Sequence, residues 1–196
     1  MQPAPPDLVD WRLASRVGGR FAPSGPDTTP EEARQVVADL RRFAREAVPL
    51  VSEASGLSAP EADNTAVFGV SRRHGGRLLC SAFEHHAVLE PVEHLGGELI
   101  RVTDRGIVDL DHLDQLLAAD VGLVSVMTVN NEVGTIQPLP EIVERVRRQA
   151  PDALIHTDAV QALCWLDLTE LARGVDLLAI SGHKFGGPKG CGALVV

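Results

Sequence analysis

Four short apolar runs in this chain each lead into a cluster of polar residues, and stretches with helical spacing separate the runs. The runs cover residues 77–82, 121–129, 153–157 and 175–181. Continuously apolar strands that alternate with helices are typical of a parallel sheet whose two faces are both covered. The sequence therefore predicts an α/β fold with a mainly parallel sheet and helices on both faces. Ligands of such a sheet bind at the carboxyl ends of its strands.

Weaker patterns predict the remaining elements. They indicate helices at residues 63–73, 86–95, 109–119, 139–149 and, in part, 160–173, and strands at 98–103 and 191–196. Near the start, Thr29 can cap a helix that begins at Pro30, and Glu32 can close a capping box. Apolar residues from Val36 to Val51 then recur at helical spacing. We predict a first segment, residues 1–57, of loop plus amphipathic helix, and a domain over residues 58–196.

The last apolar run ends in the sequence SGHKFGGPKG, residues 181–190. Of the 18 Lys and Arg residues only Lys184 and Lys189 are lysines, so a lysine at a strand end is informative here. A group that forms a Schiff base with an aldehyde must be a primary amine, and arginine cannot replace it. Lys184 is therefore the candidate catalytic lysine that holds pyridoxal 5′-phosphate. Lys189 is interpreted as a surface or turn charge.

Polar residues at the neighbouring strand ends can supply the other groups that such a cofactor needs. Asp158 can pair with the pyridine nitrogen, and His85 can stack on the ring as a second catalytic residue. The remaining candidates are Ser181 and His183 for the phosphate, Gln161 for the ring hydroxyl, and Asn131 at a neighbouring strand end.

Each of these residues also has an ordinary structural interpretation. Asp158 alone would be a helix cap, His85 a structural histidine and Ser181 the cap of a turn. Asn130 and Asn131, followed closely by Gly134, are by themselves a turn signal. The joint pattern, in this order on this fold, favours the functional interpretation.

Charge and cysteine content argue against several functional classes. The net charge of −9 disfavours a nucleic-acid or anionic-membrane partner. We recognise no signal peptide, and no apolar run is long enough to span a bilayer. Cys80, Cys164 and Cys191 have neither CxxC spacing nor close pairing, which argues against a metal cluster and favours a reducing compartment. We predict a cytoplasmic protein without a bound metal.

Residues 61–196 resemble the cysteine desulfurases, in the class-V aminotransferase branch of the fold-type I pyridoxal-phosphate enzymes. The resemblance rests on EHHAV (84–88), NNEVG (130–134), HTDAVQ (156–161) and the run at 181–190. It implies part of the large-domain fold of these enzymes and the same roles for Lys184, His85, Asp158, Gln161, Asn131, Ser181 and His183. It also implies pyridoxal phosphate as cofactor, L-cysteine or a related amino acid as substrate, and a homodimer or larger aggregate. A role in iron–sulfur cluster assembly would add a sulfur-acceptor protein as partner.

The sequence also departs from the family pattern. The family's phosphate loop reads approximately SGATE, whereas SGLSAPE at 55–61 has extra residues, and Pro60 removes a backbone donor. The family's N-terminal motif and its C-terminal small domain, which carries the catalytic cysteine and the carboxylate-binding arginine, have no counterpart. Residues 1–55 resemble instead the start of an actinobacterial zincin-like hydrolase family, but the zinc motif His-Glu-x-x-His is missing.

Two hypotheses remain open from the sequence. The first is a truncated desulfurase-like domain that is weak or inactive alone. The second is a degenerate, non-catalytic module or gene-fusion remnant that at most binds pyridoxal phosphate or a partner subunit. The missing cysteine and arginine favour the second for the isolated chain. A zinc hydrolase would rest on the N-terminal resemblance alone.

Overall fold

The computed structural model describes residues 54–57, 59–185 and 192–196 of the 196-residue chain. The predicted helix after Thr29, most of the Gly-rich turn and Cys191 lie outside the described residues. Within them, no helix is long and apolar enough to cross a membrane.

The described residues form seven strands, five α-helices and one 3-10 turn. The strands are β1 (Ala54–Leu57), β2 (Arg77–Ser81), β3 (Glu98–Ile100), β4 (Val121–Ser125), β5 (Leu154–Asp158), β6 (Leu177–Ser181) and β7 (Gly192–Val195). The helices are α1 (Ala59–Arg73), α2 (His86–His94), α3 (Leu110–Leu116), α4 (Leu139–Gln149) and α5 (Leu168–Leu171). The 3-10 turn, Gly182–Phe185, follows β6 directly.

All seven strands join in one sheet, in the order β1-β7-β6-β5-β4-β2-β3. The neighbours from β6 to β3 pair in parallel. Strand β7 is antiparallel to both β6 and β1, so β1 points in the same direction as β6. The predicted α/β fold with a mainly parallel sheet is confirmed. Because six strands share one direction, their carboxyl ends lie along one edge of the sheet.

Helices cover both faces of this sheet, as predicted. Adjacent residues of a strand point to opposite faces, and Leu123 and Val124 of β4 illustrate the division. Leu123 belongs to the apolar cluster under α1 and α2, together with Val67 and Val88. Val124 belongs to the cluster under α3 and α4, which also contains Ile142. A parallel strand buried on both faces must be apolar throughout, which explains its continuous run in the sequence.

The first described helix differs from its prediction because it begins at Ala59 instead of residue 63. Pro60 lies before the predicted start of this helix at residue 63, yet it is the second residue of α1. A proline is tolerated there because the first backbone N–H groups of a helix have no partner within the helix. The preceding residues are not a loop either, since residues 54–57 form the edge strand β1.

Several predicted elements are shorter than the patterns suggested, among them the strand at 98–103, which covers Glu98–Ile100, and the helix at 109–119, which covers Leu110–Leu116. Strand β4 ends at Ser125 rather than at residue 129, although Val126 and Thr128 still donate backbone hydrogen bonds to β5. The stretch 160–173 is mostly a series of turns, and its α-helix covers only Leu168–Leu171. Asp167 starts this helix by accepting a hydrogen bond from the Thr169 N–H at 2.8 Å. A polar cap inside the periodic stretch therefore divides it.

Close backbone contact fixes the junction between α1 and β2. The turn between them contains Gly75 and Gly76, both with positive φ (74° and 82°). A Cβ atom added at Gly122 of β4 would lie 1.8 Å from the Gly75 carbonyl oxygen. Only a residue without a side chain allows this approach.

We therefore expect Gly122→Ala to destabilise the fold. Inserting even one methyl group into a filled contact costs about 1–3 kcal/mol, and here the obstacle is backbone, which cannot rotate away. The control is Gly69→Ala in α1, where an added Cβ meets nothing within 4 Å. It should stabilise the helix by up to about 1 kcal/mol. Urea unfolding measures both changes, and equal stability of the two variants would contradict the predicted contact.

Candidate functional site

The predicted site residues lie along the carboxyl edge of the sheet. Asp158 is the last residue of β5, and Ser181 is the last residue of β6. His85 follows the end of β2 by four residues, and Lys184 lies in the 3-10 turn that β6 leads into. Parallel pairing of β2, β4, β5 and β6 thus brings residues from distant parts of the chain to one edge.

Asp158 is a buried carboxyl with a fixed orientation. Its Oδ1 atom accepts a hydrogen bond from the Val160 N–H at 2.8 Å. Burial raises the pKa of Asp158, while the Val160 N–H and the charges of His85 and Lys184 act in the opposite direction. His85 and Lys184 therefore both act electrostatically on Asp158. The hydrogen bond from Val160 also makes Asp158 the cap of the following turn, which is the structural interpretation that the sequence allowed.

Lys184 is exposed, and Cys164 contacts its backbone. The Cys164 Sγ–H donates to the Lys184 carbonyl oxygen at 3.4 Å. Three residues earlier, the buried Ser181 places its Oγ atom 2.7 Å from Nδ1 of the exposed His183. The end of β6 and the 3-10 turn that follows it therefore carry a hydroxyl, an imidazole and an amine within four residues, 181–184.

His85 is the N-cap of α2. Its Nδ1 atom accepts the Ala87 N–H at 3.1 Å, so the neutral ring carries its proton on Nε2. The neighbouring His86 ring has its centroid 6.2 Å away and inclined by 67°, an edge-on arrangement. The cap fixes the position of a half-buried imidazole at this edge of the sheet.

Asn131 and Gln161 line a cleft of about 540 Å³ together with Trp165. Asn131 is exposed, and its neighbour Asn130 makes the contacts that fix this loop. The Asn130 Nδ2 atom donates to the Phe83 carbonyl at 3.0 Å, and its Oδ1 atom accepts the N–H groups of Glu132 and Val133. The turn predicted from the Asn-Asn pair is therefore tied to the loop that carries His85.

Three buried ionisable residues near Asp158 received no individual role in the sequence analysis. They are Asp63 of α1, Glu84 of the loop before α2, and His156 of β5. Burial and the charge of Asp158 raise the pKa of Glu84 to about 8, although its Oε1 atom accepts the Met127 N–H at 2.6 Å. Burial and the charges of Asp158 and Glu84 also raise the pKa of Asp63.

His156 connects two of the elements beneath Asp158. Its Nδ1 atom lies 2.8 Å from Oγ of Ser125 on β4, and its Nε2 atom lies 3.5 Å from Oδ1 of Asp63. Complete burial lowers the pKa of His156 to about 3. Two sequence signals mark His156 and Asp63 as buried polar residues, although neither signal shows that the two side chains meet. His156 is two residues before Asp158 on the same strand face, and Asp63 falls in the apolar stripe of α1 with Ala66, Val67 and Val70.

The two described cysteines are poorly suited to act as nucleophiles. Cys80 is fully buried within β2, and burial raises the pKa of its thiol. Cys164 is half-buried, and burial raises the pKa of its thiol as well. A reactive cysteine is an accessible thiolate, which neither environment favours. Among the described residues no group of three or more His, Cys, Asp and Glu side chains could hold a metal ion.

Comparison with known proteins places this architecture in a family. The family model described as aminotransferase class-V matches residues 28–196, which includes part of the predicted N-terminal segment. The chain is 39% identical over 177 residues to a cysteine desulfurase IscS of Dictyoglomus turgidum, covering 86% of this chain and 43% of that protein. It is 42% identical over 144 residues to a cysteine desulfurase IscS of Methanosarcina thermophila, covering 69% of this chain and 35% of that protein.

Solved structures agree with these relatives. A NifS-like protein superposes with a TM-score of 0.76 at 29% identity, covering 99% of this chain and 56% of its own. DndA from Streptomyces lividans superposes with a TM-score of 0.72 at 33% identity, covering 100% and 59%. A structure described as SspA in complex with cysteine gives 0.68 at 28% identity, covering 96% and 57%. The chain thus spans less than half the length of the first curated relatives and somewhat more than half of these solved chains.

The buried Glu84 should make stability depend on pH. Its pKa of about 8 in the folded chain lies above its ordinary value of 4.5, so the folded state keeps a proton that the unfolded state releases. The contribution is fully present below about pH 4.5 and is lost as the pH rises towards 8, at about 1.4 kcal/mol per pH unit. Glu84→Gln, which can still accept the Met127 N–H, should flatten this part of the profile.

Urea unfolding from pH 5 to pH 8 checks this expectation. The matched control is Glu144→Gln on the exposed side of α4, which should keep the slope of the parent chain. A Glu84→Gln slope equal to that of the parent would show that Glu84 is ionised in the folded state.

Proposed function

Because this chain belongs to the class-V aminotransferase family, as a cysteine desulfurase-like domain, we propose that it holds pyridoxal 5′-phosphate through Lys184 and that it is weak or inactive alone in the removal of sulfur from L-cysteine. The observation that carries the proposal is the grouping of Lys184 and His85 around the buried carboxyl of Asp158. An amine, an imidazole and an acid are three of the groups that this cofactor requires of its protein.

The donor chemistry of the described residues fits this cofactor. Lys184 supplies the primary amine, which is exposed and therefore accessible. Asp158 supplies a buried carboxylate that can keep the pyridine nitrogen protonated. When bound, the cofactor supplies an electron sink for the substrate carbon. His85, held in place as the cap of α2, supplies a flat imidazole with its acceptor nitrogen already engaged by the Ala87 N–H.

The phosphate would be held where β1 and β6 end. Both Leu57 and Ser181 are paired with Gly192 of β7, so the two strands end at the same level, two strand spacings or roughly 10 Å apart. The N-terminus of α1 follows β1 after one residue, and its free N–H groups favour an anion. Ser181 and His183 would donate from the other side. Pro60 leaves one backbone donor fewer, which should weaken the phosphate contact.

Cysteine as the substrate is supported by the relatives rather than by the described residues. The resembling SspA structure was solved with cysteine, and the curated relatives are cysteine desulfurases. Gln161, on the cleft with Trp165, is the proposed contact of the cofactor's ring hydroxyl. Asn131, on the same cleft, is proposed to lie beside the cofactor. A sulfur-acceptor protein is the proposed partner for the product sulfur.

We also propose that the chain associates with a second copy. Val133, Ile136 and Trp165 are 62%, 49% and 69% exposed around the cleft that contains Asn131 and Gln161. Large apolar side chains grouped at a surface favour protein contact. This supports the dimer that the resemblance implies.

A second candidate function is a module that binds the cofactor or a partner without catalysis. The burial of Cys80 and Cys164 favours it, because desulfuration requires a thiolate that can reach the substrate sulfur. The two candidates share the same cofactor attachment and differ in turnover.

Chemical reduction of the bound cofactor tests whether it is attached to Lys184. After incubation with pyridoxal phosphate, borohydride reduction and peptide mapping should place the label on Lys184. Lys184→Ala should abolish the label, whereas Lys189→Ala should retain it. Label on Lys189 in the parent chain, or no label on a folded chain, would refute the proposal.

Turnover separates the two candidates. We expect the purified 196-residue chain to release sulfide from L-cysteine several orders of magnitude more slowly than a desulfurase, since losing a covalent nucleophile has costs of that size. The assay contains pyridoxal phosphate and reductant, with Cys80→Ala, Cys164→Ala and Cys191→Ala variants as controls. Rapid turnover that one of these substitutions abolishes would identify that cysteine as the nucleophile and exclude the non-catalytic candidate.

A further inference from the structure

A chain of three side chains runs beneath the site from α1 to β4. Asp63 lies on the buried face of α1, and its Oδ1 atom is 3.5 Å from Nε2 of His156. On the other side of the ring, Nδ1 lies 2.8 Å from Oγ of Ser125. The side chains of Asp63 and His156 are only 2% and 0% exposed. The two facing atoms, Oδ1 and Nε2, are buried and have no other hydrogen-bond partner.

The two facing atoms need a proton between them. An acceptor facing an acceptor in a dry interior would leave both unsatisfied, at a cost that folded proteins avoid. Three arrangements supply a proton: a neutral acid Asp63 that donates to Nε2, an ionised Asp63 that accepts from a neutral ring, or an ion pair of carboxylate and imidazolium. Ser125 is compatible with all three because its hydroxyl can donate or accept.

The surrounding charges distinguish the three arrangements. Three titratable groups face Asp63: Glu84 from the loop before α2, and His156 and Asp158 from β5. His85 and Lys184 act on Asp158 and not directly on Asp63. Because two of these neighbours, Glu84 and Asp158, are carboxyls, their negative charges oppose the ionisation of Asp63. A charge on His156 is opposed by its complete burial. A neutral Asp63 and a neutral ring avoid both costs.

We propose that Asp63 is a positioning residue that stays protonated and donates to Nε2 of His156, so that Asp158 alone among the three buried carboxyls carries the charge offered to the cofactor's ring nitrogen. The role assigned to Asp158 rests on the proposed function. Burial raises the pKa of all three carboxyls, but only at Asp158 do His85 and Lys184 act in the opposite direction. A second charge at Asp63 would favour a proton on Asp158, and a protonated Asp158 could not pair as a carboxylate with the ring nitrogen.

The tautomer of His156 reports the state of Asp63 without any cofactor. With a neutral Asp63 the ring carries its proton on Nδ1 and donates to Ser125. With an ionised Asp63 the proton is on Nε2, and an ion pair has both nitrogens protonated. Nitrogen-15 NMR of the cofactor-free, full-length chain separates the three states. The chain has seven histidines, so the His156 signal is identified by its loss in a His156→Gln variant or through backbone assignment.

We expect the Nδ1–H tautomer of His156 between pH 6 and pH 8. Asp63→Asn keeps a neutral N–H donor towards Nε2 and should retain this tautomer. Asp63→Leu removes the donor at similar size and should release the ring to the Nε2–H form. An imidazolium or an Nε2–H tautomer in the parent chain at pH 7 overturns the inference, whatever the variants do.

The cofactor-loaded chain gives the second readout. The midpoint of the pH titration of the visible absorption should be the same in Asp63→Asn as in the parent, because neither side chain carries a charge. If Asp63 were ionised, removing its charge would move the midpoint by on the order of one pH unit, and the inference would be wrong. An Nδ1–H tautomer in a chain that never attaches the cofactor would uphold the neutral Asp63 and refute the proposed function instead.

Discussion

The backbone ladder between β4 and β5 is the constraint on which the site depends. Ser125 is paired with His156, and the ladder continues past the end of β4, where the Val126 and Thr128 N–H groups donate to the carbonyls of His156 and Asp158. These bonds fix the face of the sheet towards which His156 and Asp158 point. A shift of one residue would turn both side chains to the opposite face. The register therefore determines that a histidine and a carboxyl lie under α1 rather than under α4.

Burial at the carboxyl edge has an electrostatic consequence. Asp63, Glu84 and Asp158 are all removed from water, and three carboxylates cannot ionise together in a dry interior without large cost. Hydrogen bonds from Val160 and Met127 to Asp158 and Glu84 offset part of this cost. Lys184 and His85, at the same edge, act on Asp158 in the same direction as its hydrogen bond. Burial therefore raises the pKa of all three carboxyls, and Lys184 and His85 offset this effect at Asp158 alone.

The same burial explains the behaviour of the thiols. Cys80 is the fourth of the five residues of β2, a strand that is covered on both faces, and it packs in the apolar cluster under α1 and α2. A cysteine there is a small core residue. Cys164 contributes a weak hydrogen bond to the Lys184 carbonyl and so helps to hold the turn that carries the lysine. Neither of the two described cysteines is therefore placed as an accessible nucleophile.

The sequence by itself determined the fold class, because strands buried on both faces must be apolar along their whole length and their polar ends then mark one edge of the sheet. It also determined the positions of Lys184, Asp158 and His85 at that edge, since each lies within three residues of the end of such a run. The tertiary structure alone decided which buried groups lie beneath them. Asp63 and His156 are 93 residues apart in the sequence. Neither local pattern reveals that α1 packs over β5 where these two side chains meet. The sequence also could not show that Pro60 lies inside α1, because the same residue breaks a helix in its interior and starts one at its first turn.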